Sequence, residues 1–119
     1  MPERVDPQSY LPLQTHVFHI LLSVIDEEQH GYSIIKDIAC RTDGDLMLGT
    51  STLYAAVKRL VKMGLLKEVS PKVKTDSEGP RRRYYQATDL GREVAREEAL
   101  RIRQLNRIVS RTGLLGKTS

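Results

Sequence analysis

The spacing of apolar residues predicts that the chain begins with a strongly apolar helix. Residues 11–27 follow the helical period, with a main apolar stripe and a second apolar row beside it. The stripe consists of Leu13, Val17, Ile20, Leu21 and Val24, and the second row of Phe18, Leu22 and Ile25. The narrow polar remainder holds His16, His19, Ser23 and Asp26. A helix this apolar needs cover on more than one side, from its own domain alone or also from another chain.

A second helix is predicted to begin after a turn at His30-Gly31 and to continue to about Arg41. We expect His30 to cap or position this turn. The residues predicted to face inward are Ile34, Ile35, Ile38 and Ala39. Helical character then stops, and Leu46 and Leu48 stand two residues apart, as in a very short strand.

A third, short helix is predicted within residues 49–66, with a glycine on either side. Either Thr50 or Ser51 supplies its N-cap, and Gly64 follows it as the C′ residue. Its predicted buried stripe, at positions i, i+4, i+7 and i+8, is Leu53, Val57, Leu60 and Val61. The residues turned away from that stripe are hydroxyl-bearing, small or basic.

The rest of the chain predicts a hairpin and one long helix. Residues 65–69 and 81–87 have strand character, and the segment between them is rich in turn formers. Because side chains alternate along a strand, Tyr85 and Ala87 are predicted to face the core, and Tyr84 and Gln86 to face outward. Thr88 is expected to cap a last helix that runs to about Arg111. One side of that helix is apolar, with Val94, Ala95, Ile102, Leu105, Ile108 and Val109.

This order of elements is that of a winged helix-turn-helix. The predicted fold class is mainly α with a small β-wing, followed by a long C-terminal dimerisation helix. The corresponding division is an N-terminal arm (1–10), a DNA-binding domain (11–87), the dimerisation helix (88–111) and a flexible tail (112–119). At 119 residues the chain is one domain with a modest core, and such cores often depend on a partner subunit.

The positive charge is concentrated in the middle of the chain. The net charge of +4 divides into −5 over residues 1–49, +6 over residues 50–85 and +3 over residues 86–119. Residues 55–67 contain four cations and no acid, whereas a solvated helix face ordinarily mixes both signs. A basic middle on a winged helix indicates a polyanion such as double-stranded DNA.

The predicted DNA contacts divide between the third helix and the wing. Small residues at the start of the helix allow close approach to base edges, and cations farther along reach phosphates. The candidates on the helix are Thr50, Ser51, Thr52, Tyr54, Lys58, Arg59 and Lys62. Those on the wing are Lys72, Lys74, Arg81, Arg82 and Arg83.

Other classes of function find little support in the sequence. No Gly-rich phosphate loop, Ser/His/Asp grouping or pair of acids in an apolar pocket indicates an enzyme. His16 and His19, with His30 or Cys40, suggest a metal site, but no CxxC or HExxH spacing supports one, and no cofactor is expected. As the single cysteine, Cys40 is expected to be packed rather than redox-active, in a cytoplasmic protein. No secretory signal or membrane-length apolar segment is present, so membrane binding is not expected.

The chain resembles the PadR family of bacterial transcriptional regulators. The matching segments are "HILLSV" (19–24), "HGYSI" (30–34), "LGTSTLYAAVKRLVKMGLL" (48–66) and "RRRYYQATDLG" (81–91). The resemblance implies a homodimeric winged-helix repressor of the short type, whose single C-terminal helix packs against the N-terminal region of the partner. Many members have proline where this chain has Ala55, and some hold flat ligands with aromatic residues that its last helix lacks. A small-molecule effector is therefore unsupported.

These features predict a homodimeric repressor that binds an inverted-repeat operator. The alternative is a winged-helix module that binds protein or nucleic acid without sequence preference. The seam spacing on the last helix and the second apolar row on the first predict the dimer interface. Its residues are Phe18, Leu22, Ile25, Ala95, Ile102, Leu105 and Val109.

Overall fold

The four helices and the two strands of the wing follow one another in the predicted order, whereas one short strand lies before the second helix and not after it. The computed structural model describes residues 6–70 and 83–116. A 3₁₀ turn (Pro7–Tyr10) precedes α1 (Thr15–Ser23), β1 (Gln29–His30), α2 (Gly31–Arg41), α3 (Thr50–Lys62), β2 (Leu66–Val69), β3 (Tyr84–Ala87) and α4 (Asp89–Arg111). The predicted class, mainly helical with a small β-wing, is confirmed.

The sheet is antiparallel, with β3 between β1 and β2. Leu66 pairs with Ala87 in β2 and β3, and Gln29 pairs with Tyr85 in β1 and β3. The strand predicted at Leu46 and Leu48 is wrong, because both lie in an irregular segment and are partly buried against the core. The backbone N–H of Leu46 donates to the side chain of Thr42 at 3.0 Å instead of joining a ladder.

The core lies where the first three helices meet the sheet and the start of α4. Its fully buried residues from the helices include Ile20, Leu21, Ile34, Ile38, Leu53 and Leu60. Tyr85 and Ala87 face this core, as predicted from parity, while Tyr84 and Gln86 are half-buried. Ser23 was predicted on the polar side of the first helix, but it is 3% exposed. At this helix end, Gln29 of β1 donates to the carbonyl of Ser23, and the N–H of Ala87 in β3 donates to that of Val24.

Two of the predicted helix caps are confirmed. The Nδ1 atom of His30 accepts the backbone N–H of Ser33 at 3.1 Å, which caps α2. The Thr88 hydroxyl accepts the N–H of Gly91 at 2.9 Å and donates to the carbonyl of Gly64 at 2.6 Å. Thr88 therefore joins the start of α4 to the end of α3.

The start of α3 differs from the prediction. Its N-cap is Gly49, and no side chain caps it, so neither Thr50 nor Ser51 has that role. Gly64 adopts a φ of +80° directly after the C-cap, as predicted for the C′ residue.

The first helix is shorter at both ends than the predicted residues 11–27, since the residues before it are extended and it ends at Ser23 with Val24 as its C-cap. Leu11 has φ −92° and ψ 152°, the conformation favoured before a proline, and α1 begins only at Thr15. Residues 7–13, which we call the N-terminal strap, lie against α4. Residues 7–10 of the predicted arm are thus part of the folded domain. The tail predicted at 112–119 lies partly outside the described residues.

The two halves of α4 have different surroundings. Its first half is buried at Gly91, Val94, Ala95 and Glu98. Its second half carries apolar side chains that are 42% exposed at Ile102, 50% at Leu105 and 47% at Ile108. The helix therefore extends beyond the domain that its first half helps to form.

Candidate nucleic-acid interface

The opposite faces of α3 differ sharply in burial and chemistry. Its inner face is formed by Leu53, Ala56, Val57 and Leu60, all 7% exposed or less. Val61, predicted on this stripe, is 39% exposed, since its position leans toward the outer face. The predicted contact residues of the helix are all exposed: Thr50, Ser51, Thr52, Tyr54, Lys58, Arg59 and Lys62.

The N-terminal turn of α3 presents hydroxyls together with backbone N–H groups that no side chain of residues 6–70 and 83–116 caps. The first N–H groups of a helix have no partner within it, and here no side chain of an N-cap occupies them. Thr50, Ser51 and Thr52 project from this turn without steric bulk. Small hydroxyl side chains and backbone N–H groups suit close approach to phosphates or base edges.

Tyr54 is the large side chain on this outer face, and it lies against the start of α2. It is 45% exposed. A Cβ on Gly31 would lie 2.5 Å from its hydroxyl oxygen, so the absence of a side chain at Gly31 makes room for the ring. The ring is thus held at the junction of the two helices of the helix-turn-helix, with one edge in solvent.

The cations of α3 are free of ion pairs with the described residues. Lys58, Arg59 and Lys62 make no salt bridge within residues 6–70 and 83–116. Arg59 and Lys62 lie in the last turn, where they also stabilise the helix dipole. Lys58 has no such role, and its outward charge remains available to a polyanion.

The wing is described only at its base. Lys72, Lys74, Arg81 and Arg82 lie outside the described residues. Arg83 is exposed, and its Nε atom lies 3.7 Å from Oε1 of Glu68 on the adjacent strand. Glu68 therefore partly neutralises the positive charge at the base of the wing. The sequence prediction considered the arginines alone and did not include this acid.

Tyr85 connects that base to the core. Burial raises the pKa of the Tyr85 hydroxyl and the nearby Glu68 carboxylate adds to the effect, while Arg83 opposes it. The phenol therefore stays neutral and belongs to the core side of β3.

An aromatic group at the start of α2 was not among the sequence predictions. The ring of His30 meets Tyr84 edge-on at 5.4 Å, and it lies nearly parallel to Tyr32 at 6.4 Å. The Nζ atom of Lys36 lies 5.3 Å from the ring centroid of Tyr32. The i, i+4 spacing of Tyr32 and Lys36 on a predicted helix was the available signal.

His16 and His19, the candidate metal ligands on α1, are half-buried. Within residues 6–70 and 83–116, no three His, Cys, Asp or Glu side chains are grouped so that they could hold a metal ion. Cys40 is exposed, so the expectation that it is packed is wrong: it lies on the outer side of α2, in the last turn. Over the same residues, no helix is sufficiently long and apolar to span a membrane.

The residues predicted for a dimer seam separate into two groups. Phe18 and Leu22 are half-buried and lie outside the set that packs on the core, while Ile102 and Leu105 are exposed and Val109 is half-buried. Ile25, in contrast, packs against the core, and Ala95 is 5% exposed within the single chain. These two are already covered, and we leave them out of the proposed interface.

Comparisons with known proteins match this architecture. The family model described as the transcriptional regulator PadR-like family matches residues 20–97. An uncharacterised protein of Lysinibacillus sphaericus is 32% identical over 78 residues, which cover 66% of this chain and 69% of that protein. The structure of a transcriptional regulator from Clostridium thermocellum is 29% identical, with a TM-score of 0.65 over 81% of this chain and 88% of that chain.

A further solved structure shares the fold at lower identity. Bacillus subtilis PadR, solved in complex with operator DNA, is 21% identical, with a TM-score of 0.59 over 72% of this chain and 47% of that chain. The family match spans the helix-turn-helix, the wing and α4 as far as residue 97. The chain belongs to the PadR-like family of transcriptional regulators.

Proposed function

We propose that this protein is a homodimeric, sequence-specific DNA-binding repressor whose α3 helix enters the major groove. The observation that carries the proposal is the outer face of α3. This face combines small hydroxyl side chains, an N-terminal turn without a side-chain cap, and exposed cations without ion pairs among the described residues. A helix face that contacts only solvent ordinarily carries both acidic and basic side chains.

The N-terminal residues of this face and the cations farther along α3 make different contacts with DNA. Thr50, Ser51, Thr52 and Tyr54 lie at the end of α3 that approaches base edges, so they read sequence. Lys58, Arg59 and Lys62 bind phosphates and fix the position of the helix. The wing cations Lys72, Lys74, Arg81, Arg82 and Arg83 add phosphate contacts beside the groove. The fold shared with a protein solved on its operator supports this arrangement.

Two such helices are needed for an inverted repeat. The exposed apolar strip on the second half of α4 supports a dimer, since soluble proteins rarely leave such strips open. We propose that Ile102, Leu105 and Val109 pack on Phe18 and Leu22 of a second copy. The two α3 helices would then lie about one DNA turn, or roughly 34 Å, apart. A dimer seated on a promoter excludes polymerase, which makes repression the proposed outcome, in the cytoplasm where the chromosome is accessible.

A footprint over a range of salt concentrations tests the proposal. DNase protection with a genomic library, or with the promoter upstream of the protein's own gene, is expected to reveal a short inverted repeat. If each subunit neutralises three to four phosphates, the log–log salt slope is about −5 to −7. Protection without a repeated sequence, or a slope shallower than about −2, would favour a module that binds protein or non-specific nucleic acid.

A pair of variants locates the surface. Lys58→Gln removes one exposed cation per subunit from the outer face of α3, two in the dimer, and is expected to flatten the salt slope by about two units. Arg41→Gln removes an exposed cation at the end of α2 that is already paired with Asp37 at 3.2 Å, so it serves as the matched control. Equal effects of the two substitutions would place the DNA surface elsewhere.

A further inference from the structure

A buried carboxylate lies at the middle of α4. Glu98 is 1% exposed, in a helix whose other acids are on its surface or partly exposed. Its Oε2 atom accepts the backbone N–H of Leu13 at 2.7 Å, and its Oε1 atom accepts a hydrogen bond from Nε of Arg101. Acidic residues are almost never buried to this degree unless they are paired. Both oxygens of Glu98 therefore have a defined partner, one on the N-terminal strap and one on α4.

The N-terminal strap contacts both helices that matter for the proposed function. Gln8 donates from Nε2 to Oε1 of Glu97 on α4 at 3.1 Å. The hydroxyl of Tyr10 lies 3.5 Å from the backbone oxygen of Met63, which is the C-cap residue of α3. The strap is thus a direct connection between the end of the proposed recognition helix and the middle of α4.

Glu98 also lies where the surroundings of α4 change. Gly91, Val94, Ala95 and Glu98 share one face of the helix and are buried within the chain. The same face continues at Ile102 and Leu105, i+4 and i+7 from Glu98, and these residues are 42% and 50% exposed. Glu98 is therefore the last residue of this face that its own domain covers. Whatever holds Glu98 fixes the direction in which the exposed half of α4 leaves the domain.

We infer that Glu98 is a positioning residue that sets the orientation of the DNA-binding domain on the dimerising half of α4, and hence the spacing of operator half-sites. An apolar side chain at this position would also be buried, but it would accept several packings of strap against helix. A carboxylate is satisfied only when the N–H of Leu13 and the guanidinium of Arg101 both reach it. Buried polar groups of this kind have fixed helix register in other systems, at some cost in stability.

The orientation can be measured without DNA, because the chain supplies its own label site. Cys40 is the single cysteine, and it is exposed at the end of α2 in the DNA-binding domain. A nitroxide on Cys40 of each subunit reports the distance between the two domains by electron–electron dipolar spectroscopy. The wild-type dimer is expected to give one narrow distribution, and Glu98→Leu one that is shifted or about twofold broader.

Two further variants separate positioning from packing. Glu98→Gln keeps one acceptor oxygen for the N–H of Leu13 and is expected to retain the wild-type distance. Glu93→Leu makes a similar substitution on the exposed surface of α4 and should change nothing. If Glu98→Leu does not fold, Glu98→Ala takes its place, since it also removes both acceptor oxygens while adding no bulk. Wild-type distributions in the folded Glu98→Leu or Glu98→Ala protein would overturn the inference.

The effect of Glu98 on the preferred spacing of operator half-sites rests on the proposed function, and a separate DNA-binding experiment measures it. On operators whose half-sites are moved one base pair closer together or farther apart, wild-type affinity should fall about tenfold. The affinity of Glu98→Leu should differ by less than about threefold between the same operators. If wild-type protein binds no paired sites while the Cys40 distance still depends on Glu98, the proposed function fails and the positioning role stands. Unchanged spacing preference in folded Glu98→Leu would reject the role of Glu98 in operator selection.

Discussion

The hydroxyl oxygen of Tyr54 lies 2.5 Å from the point that a Cβ on Gly31 would occupy. Its Cζ atom is 2.8 Å from the same point, so the whole end of the ring fills the space above the first turn of α2. Gly31 is at the start of that helix, and Tyr54 is on the outer face of α3. The glycine therefore decides where the aromatic side chain of the proposed DNA surface is held.

Gly31→Ala is expected to displace Tyr54 rather than to unfold the protein. Alanine favours the helix, and the atom in the way belongs to the end of a side chain that is 45% exposed and free to swing outward. Operator affinity should fall to about that of Tyr54→Ala. In a double-mutant cycle by urea denaturation, we expect a coupling of about 0.5–2 kcal/mol between the two positions. Additive effects of the two substitutions would show that the contact has no energetic role.

Gly91→Ala is expected to be far more damaging. A Cβ there would lie 2.1 Å from the carbonyl oxygen of Leu65, and that oxygen is held by the N–H of Thr88 at 3.1 Å. Because the obstacle is backbone, α4 must move away from the end of α3, at a cost of more than about 3 kcal/mol. Urea denaturation measures the loss, with Glu93→Ala on the exposed side of α4 as control. A loss no larger than that of the control would mean that α4 docks elsewhere.

Thr52→Ala and Lys62→Ala are expected to change DNA binding in different ways. If Thr52 contacts a base, its truncation costs about 1–3 kcal/mol on the preferred operator and relaxes the choice of base at one position. Lys62→Ala should weaken all sequences alike, since a phosphate carries no sequence information. Selection from a randomised operator pool distinguishes the two. A changed consensus for Lys62→Ala would contradict this division of tasks.

The local elements of the fold were predictable because their signals lie close together in the sequence. The apolar spacing on α3, the cap at Thr88 and the glycine after α3 each depend on residues within a few positions. The same holds for the parity of Tyr85 and Ala87. The outer face of α3 follows directly from the inner one, so the main part of the candidate site was also predictable.

Features that depend on distant partners were not predictable in this way. β1 exists because Gln29 and His30 pair with β3, more than fifty residues later. Glu98 lies in a strongly charged stretch and has the appearance of a surface residue, yet the N–H of Leu13 makes its burial possible. The N-cap of α3 is Gly49, although the hydroxyl side chains of Thr50 and Ser51 are of a type that favours the capping position. Periodicity contains no information about these contacts.

The stability of the protein is expected to fall in acidic solution, below about pH 4, as Glu98 becomes protonated. Burial by itself would raise the pKa of this carboxyl, but the hydrogen bonds from Arg101 and Leu13 and the charge of Arg101 hold the pKa below its ordinary value. A depressed pKa contributes stability above the unfolded value, about 4.3, and that contribution disappears as pH falls through the folded value. Charged Glu98 therefore stabilises the fold at neutral pH.

Urea denaturation of wild-type protein and Glu98→Gln over pH 3–7 tests this sign. The difference in unfolding free energy should be constant above about pH 5.5 and should shrink as pH falls below about 4. Arg101 is the charged side chain that contacts this carboxyl, and its guanidinium does not titrate in that range. A difference that grows on acidification would show that burial outweighs the hydrogen bonds.

Leu105→Asp is expected to separate the proposed dimer without unfolding the subunit. Leu105 is 50% exposed in the single chain, so an aspartate there meets water in a monomer. In a dimer that packs this strip on Phe18 and Leu22 of the partner, the same carboxylate would be buried without a partner, at a cost of several kcal/mol. The variant should sediment as a folded monomer and lose operator binding, since one half-site supports only weak affinity. Gln104→Asp adds the same charge one residue away, off the apolar strip, and should remain dimeric. A Leu105→Asp protein that stays dimeric and binds DNA normally would place the interface on another surface.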